Sequence, residues 1–219
     1  MQQRMLGRSG IQTSQIGLGC GGNSRLGLSN GGTEEQAAQV VRAGFELGIT
    51  LVDTARVYGT EKAVGAALKG RRREGVVLSS KSPYLDAEGK LSSVEAFQGN
   101  LDASLGDLDV ERIDIYFIHG LGAENYQAAR DRFRPVLEKA KQAGKIRLFG
   151  LTEAFERDTG HAMLRQAVAE GGWDVFMVGY NLVNQSALER VLNPAREKGI
   201  ATLGMFAVRR GLIEPELLR

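Results

Sequence analysis

Gly48-Ile49-Thr50-Leu51-Val52-Asp53-Thr54-Ala55-Arg56-Val57-Tyr58-Gly59 is the stretch on which the reading of this chain turns. Residues 49–53 form a short apolar, β-branched run that ends in a carboxylate, the pattern of a buried strand opening into a polar loop. Upstream, Thr33 and Gln36 have capping-box spacing, and Ala37, Val40, Val41 and Phe45 recur on one helical face. Gly48 stops that helix. Downstream, a second helix is expected over 60–68, with Gly70 as its stop signal. The stretch is therefore a strand set between two helices.

Outward from it the same alternation continues. Residues 4–15 read as a hairpin turning at Ser9-Gly10, and 16–19 as the first core strand. Further strands are expected at 76–81, 113–119, 146–151, 175–178 and 201–205. Helices are expected between them. One is capped by Ser92 and Glu95 and carries Val94, Phe97, Leu101 and Leu105. One spans 130–143 with Pro135 in its first turn, and one spans 158–170. The last spans 186–198 and restarts at Asn193-Pro194 as cap and first residue.

Seven core strands alternate with six helices, without repeat, low-complexity stretch or linker. That order specifies an α/β fold with a parallel sheet. An open doubly wound sheet would announce itself by a Gly-x-Gly-x-x-Gly turn after its first strand. Gly17-Leu18-Gly19-Cys20-Gly21-Gly22 has the spacing, but its first glycine lies inside the strand and no helix follows at once. The reading is a single domain, residues 1–219, of (β/α)8 TIM-barrel type. It has seven strands in this chain and an N-terminal β-hairpin.

Composition sets outer limits. The 219 residues are 42% hydrophobic and 25% charged, with 28 Lys+Arg against 26 Asp+Glu and a net charge of +2. No concentrated basic face points to nucleic acid. No run approaches the roughly 18 apolar residues of a membrane span, and no apolar leader follows Met1. Cys20 stands alone and cannot form an internal disulfide. A cytoplasmic protein is expected. The oligomeric state is left open.

In a barrel, chemistry gathers at the C-terminal ends of the strands. Asp53 ends the second core strand, and Tyr58 follows in its loop. Lys81 ends the third strand and His119 the fourth. A carbonyl that accepts a hydride builds negative charge on oxygen and needs a proton. The Tyr58 phenol can supply one, although a free phenol has a pKa of about 10. A neighbouring Lys81 cation is expected to lower that value, with Asp53 orienting Lys81 and His119 directing the carbonyl. Taken singly, each residue has a plainer reading: a cap, a half-buried aromatic, a solvated lysine, a satisfied core histidine.

At these residues the chain resembles the aldo-keto reductase family. The stretches that carry the resemblance are residues 48–59 quoted above, Leu78-Ser79-Ser80-Lys81, Ile113-Asp114-Ile115-Tyr116-Phe117-Ile118-His119 and Gly144-Lys145-Ile146-Arg147. The resemblance implies a (β/α)8 barrel and NADP(H) as cofactor, with NAD(H) as the other option. Its substrate would be a small carbonyl compound or sugar. It implies an Asp-Tyr-Lys-His tetrad at Asp53, Tyr58, Lys81 and His119, with Asp53 also touching the cofactor. A carboxamide-holding pair maps to Thr152 and Glu153, where Ser and Asn are common, and Met177 stands where a Gln often joins them. Met205, with Phe206 next to it, maps to a nicotinamide-stacking position. An eighth strand and the adenosine 2′-phosphate contacts would follow the seventh strand, so the chain is expected to be C-terminally incomplete.

Arg209 and Arg210 follow the seventh strand on the same face and are candidates for the cofactor pyrophosphate. The basic run 69–73 precedes a strand and is read as a solvated loop at the barrel bottom. Cys20 is read as a small buried residue, His161 as the exposed start of an outer helix, and Trp173 as packing. Two scattered histidines and one cysteine make no zinc site. Two other functions compete: a Schiff-base lyase using Lys81, and a non-catalytic cofactor-sensing or regulatory protein on the same fold.

Overall fold

The sheet runs in chain order. The computed structural model describes residues 1–71 and 73–207. A two-stranded antiparallel hairpin, β1 (Gln3–Met5) and β2 (Gln12–Ser14), precedes the main sheet. The main sheet comprises β3 (Gly17–Gly19), β4 (Leu51–Asp53), β5 (Val77–Pro83), β6 (Ile113–Leu121), β7 (Ile146–Glu153), β8 (Val175–Gly179) and β9 (Ala201–Met205). Each strand pairs in parallel with the next. A doubly wound sheet reverses its strand order at a switch point. This one never does, and it curls into a half-barrel with the helices outside.

The helices are α1 (Glu34–Glu46), α2 (Glu61–Leu68), α3 (Val94–Leu108), α4 (Tyr126–Gln142), α5 (Ala162–Glu170) and α6 (Asn193–Glu197). Alternation along each strand sorts side chains into two apolar layers. Leu51, Val77, Ile115, Phe117, Leu148, Val175 and Leu203 fill the concave side. Val52, Leu78, Tyr116, Ile118, Phe149 and Phe176 pack outward against the helices.

The hairpin closes the bottom. Leu6 and Ile11 enter the inner layer from below. Ser14 Oγ accepts the Thr50 N–H at 2.9 Å, and the Arg8 N–H donates to the Gly199 carbonyl at 3.1 Å. The hairpin thus ties the foot of β4 to the foot of β9. Gly7 makes this approach at φ 52°, and a Cβ there would lie 2.6 Å from the Gly199 oxygen, so only glycine fits.

Among the helices, four features differ from expectation. The fourth helix starts at Tyr126, placing Pro135 in its interior rather than its first turn. Tyr126, Ala129, Phe133, Val136, Leu137 and Ala140 are buried along one face, and that burial outweighs the backbone bond a proline forfeits. Ser93, not Ser92, caps α3, its hydroxyl accepting the Ala96 N–H at 3.1 Å. α5 begins at Ala162, and Asp158 caps it from upstream by accepting the Ala162 and Met163 N–H groups at 2.9 and 3.0 Å. Finally, Leu188–Leu192 form a π-helical turn that runs directly into α6, so Asn193 is helical rather than a cap.

In the basic run Lys69 and Arg71 are exposed, as expected of a solvated loop, and Arg73 is partly buried. The Arg71 guanidinium lies 4.6 Å from the centre of the Phe45 ring, and Arg73 pairs with Asp114 at 2.6 Å. Arg72 lies outside the described residues.

The capping box is complete. Thr33 Oγ1 accepts the Gln36 N–H at 3.2 Å, and the Thr33 N–H donates to Gln36 Oε1 at 2.9 Å. Thr33→Ala is therefore expected to cost about 0.5–2 kcal/mol of stability, read as a lowered midpoint in urea unfolding with an unchanged slope.

Candidate active site

The strand register builds the site. Asp53 pairs with Ser79 across β4 and β5, Lys81 pairs with Phe117 across β5 and β6, and Pro83 pairs with His119. Paired residues share a face, and so do residues two apart on one strand. Asp53, Ser79, Lys81 and His119 therefore rise as a staircase on the inner face, at the C-terminal ends of three adjacent strands.

Tyr58 arrives from the loop after β4. Arg56–Tyr58 form a single 3-10 turn. Arg56 pairs with Glu61 and with Asp107, the latter at 2.5 Å. Glu61 is buried and also accepts the Ser80 hydroxyl at 2.6 Å, and the Thr54 and Thr60 hydroxyls share a bond of 2.7 Å. The loop is thus fastened to α2, α3 and β5. The phenol ring packs against Gly21, where an added Cβ would lie 2.5 Å from a ring carbon. A side chain at 21 would displace the ring.

The structure brings all four candidates together. Lys81 is 1% exposed, and its ammonium donates to Asp53 Oδ2 at 2.6 Å and to the Thr54 carbonyl at 2.7 Å. The Ser79 hydroxyl donates to the other Asp53 oxygen at 2.7 Å. The ammonium lies 4.8 Å from the centre of the Tyr58 ring. The Tyr58 hydroxyl is 3.4 Å from His119 Nε2, with the two rings edge to face.

Burial decides the protonation states. It pushes the Tyr58 phenol above its ordinary value; Lys81 pulls down against this and Asp53 adds to it. The net direction is opposite to the lowering expected from sequence, because desolvation of the phenolate outweighs the neighbouring cation. Burial, with Lys81 adding to it, pushes His119 down to about 3, so its imidazole is neutral at pH 7. Cys20 follows β3 one residue beyond the partner of Asp53 and packs into the outer apolar layer. Its N–H donates to the Asp53 carbonyl at 2.8 Å, and burial first, then Asp53, raises its thiol well above the ordinary range.

The rim of β7 to β9 differs from expectation. Thr152 is buried, and its hydroxyl oxygen accepts the Gly120 N–H at 2.6 Å. Glu153 turns into the wall, accepting the Gly179 N–H at 2.7 Å and facing His161 Nδ1 at 2.9 Å. Burial raises its carboxyl pKa despite those partners. His161, expected to be exposed, is fully buried with a left-handed φ of 61°. Its Nε2 is 2.9 Å from Ser186 Oγ, and its ring stacks on Phe155. The Ser186 hydroxyl also reaches Asn184 Oδ1 at 2.7 Å and the Thr159 carbonyl at 3.2 Å. The cluster thus joins two rim loops to the ends of β7 and β8. Sequence reasoning missed it because nothing local links residues 153, 161 and 186.

A nicotinamide ring with its carboxamide needs a polar donor and an apolar face at this rim. The Thr152 hydroxyl keeps its hydrogen for donation. Phe206 is 42% exposed and stacks on Phe155 with ring centres 5.7 Å apart. These two fit the ring end of such a cofactor. Glu153 does not, since both its oxygens are engaged. Met177 and Met205 pack into or against the inner apolar layer. Arg209 and Arg210 lie outside the described residues.

The Aldo/keto reductase family model matches residues 15–217. L-galactose dehydrogenase of Arabidopsis thaliana is 30% identical over 221 residues, covering 97% of this chain and 67% of that protein. Probable aldo-keto reductase 1 of Glycine max is 31% identical over 222 residues, covering 96% of this chain and 60% of its own length. The holo form of an aldo-keto reductase from Bacillus halodurans superposes with a TM-score of 0.73 at 26% identity. That match covers 93% of this chain and 65% of the structure. Among the described residues no helix is long and apolar enough to cross a membrane.

Cys20, fully buried, offers a check on how tightly the apolar layer behind the site is packed. The native protein is expected to leave its thiol unmodified by Ellman's reagent over an hour at pH 8. One thiol per chain should react at once in denaturing urea. Rapid reaction of the native protein would show that this layer opens.

Proposed function

This chain belongs to the aldo/keto reductase family, and from that premise we propose that it is an oxidoreductase interconverting a carbonyl (aldehyde, ketone or aldose) and an alcohol with NADP(H) or NAD(H). The observation that carries the proposal is the convergence of a protonated phenol, a neutral imidazole and a buried lysine–aspartate pair on one inner face. NADP(H) is the first choice of cofactor on the family resemblance, with Thr152 and Phe206 as the residues that would hold its nicotinamide end. When bound, the cofactor supplies or accepts the hydride.

The side chains divide the remaining work. Tyr58 reaches neutral pH protonated, as a proton donor must. Giving up that proton leaves a phenolate, and the cation 4.8 Å from the ring centre offsets part of the cost. Neutral His119 can present an N–H to the carbonyl oxygen and fix its direction beside the Tyr58 hydroxyl. Asp53 and the Thr54 carbonyl hold Lys81 in place. In alcohol oxidation the same phenolate accepts the hydroxyl proton.

A Schiff-base lyase would need the Lys81 amine free to attack a carbonyl. Here the amine is 1% exposed and held by two acceptors, which favours the oxidoreductase. A cofactor-sensing protein would bind NADP(H) and leave every carbonyl untouched, an outcome that a turnover assay separates directly.

Tyr58→Phe is expected to cut carbonyl reduction by about 10²-fold or more, with NADPH affinity within about twofold of the parent. Turnover is followed at the NADPH absorbance and affinity by fluorescence quenching. Turnover near that of the parent would remove Tyr58 from this role.

The pH dependence has a definite sign. Because the phenol titrates above its ordinary value, reduction is expected to stay level through neutral pH. It should fall only above a pH of about 10, as the proton donor is lost. Alcohol oxidation is expected to climb over the same range. A reduction rate that halves between pH 6 and 8 would contradict this assignment.

A further inference from the structure

We infer that Ser79 is a positioning residue for the Asp53–Lys81–Tyr58 array, an inference that rests on the function proposed above. Ser79 is fully buried in β5, directly opposite Asp53 in the strand register. It holds the end of β4 at two points. Its carbonyl accepts the Thr54 N–H at 2.8 Å, and its hydroxyl donates to Asp53 Oδ1 at 2.7 Å. A carboxylate only accepts, so in a buried contact the hydroxyl must be the donor.

That bond fixes the rotation of the carboxylate. With Oδ1 taken by Ser79, Asp53 offers Oδ2 alone to Lys81, at 2.6 Å. The ammonium then keeps a place over the Tyr58 ring instead of being drawn wholly onto the carboxylate. The neighbouring serines do other work, which makes Ser79 specific. Ser80 faces outward to Glu61, and the Ser82 hydroxyl turns to the Pro83 carbonyl.

Without the Ser79 hydroxyl, Asp53 Oδ1 loses its donor and can turn onto Lys81. The cation is then more fully neutralised by its partner, and its hold on the Tyr58 phenolate weakens. The phenol becomes harder to ionise. Alcohol oxidation, which uses the phenolate, then requires a higher pH, and turnover falls while the pocket that binds substrate and cofactor stays as it was.

The test compares Ser79→Ala, Ser79→Thr and Tyr58→Phe in the holoenzyme. Ser79→Ala is expected to lower kcat about ten- to a hundredfold, with substrate KM and NADPH affinity within about twofold. The alkaline limb of alcohol oxidation is expected to move up by about half a pH unit or more. Ser79→Thr keeps a hydroxyl and should recover most of the loss. A second readout needs no turnover: absorbance titration at 295 nm of Ser79→Ala with and without Tyr58→Phe isolates the Tyr58 phenol, which should titrate above the parent value. If Ser79→Ala does not fold, Ser79→Cys, with its weaker donor, takes its place and should give the same shift in smaller measure. An unchanged kcat and limb, a threonine variant as impaired as alanine, or a phenol that titrates as in the parent would overturn the inference. If Tyr58→Phe keeps full turnover, the oxidoreductase mechanism fails instead, and the phenol titration alone decides the role of Ser79.

Discussion

A buried ammonium is the constraint around which the upper half of this barrel is organised. Removing a lysine charge from water costs several kcal/mol unless partners replace the lost hydration. Lys81 finds two, the Asp53 carboxylate and the Thr54 carbonyl. Both sit at the end of β4, so the pairing of β4 with β5 and the solvation of Lys81 are one requirement. A slip of one residue in that register would turn Lys81 outward among the helices. The same register sets Ser79 opposite Asp53 and leads through Phe117 to His119.

Tyr58 answers a second constraint, that of holding a phenol in place from a loop. Regular structure cannot position it, because it lies beyond the strand end. Arg56, Glu61 and Asp107 anchor the turn on one side, and the bare backbone of Gly21 receives the ring on the other. Of the two glycines after β3, in a stretch that resembles a phosphate loop in sequence, Gly21 serves here as the surface against which an aromatic ring packs. That is a physical reason for glycine at 21 that owes nothing to a dinucleotide.

Much of this was legible from the chain itself. Strand–helix alternation gave the barrel because apolar runs flanked by caps and glycines mark element ends strongly. The convergence of Asp53, Lys81 and His119 could be read because they stand toward strand ends, where burying a polar group is costly and calls for partners, and Tyr58 because it follows Asp53 in the same short loop. Boundaries were less legible where tertiary burial overrode a local rule, as with Pro135 inside α4. The Glu153–His161–Ser186 cluster was not legible at all. Its members lie in separate loops, and the left-handed backbone of His161 follows no pattern visible in sequence. The direction of the Tyr58 shift also escaped, because the cation is apparent in the motif whereas the desolvation of the phenol belongs to the folded state.

The central claim is that Tyr58 and His119 together receive a carbonyl oxygen, with Lys81 behind the phenol. Its most direct test is a crystal structure of the enzyme with a nicotinamide cofactor and a non-reducible carbonyl analogue bound together. The account requires the analogue oxygen within about 3.2 Å of both Tyr58 Oη and His119 Nε2, and Lys81 still paired with Asp53. An oxygen bound away from both side chains, or a Lys81 ammonium turned from Tyr58, would contradict it.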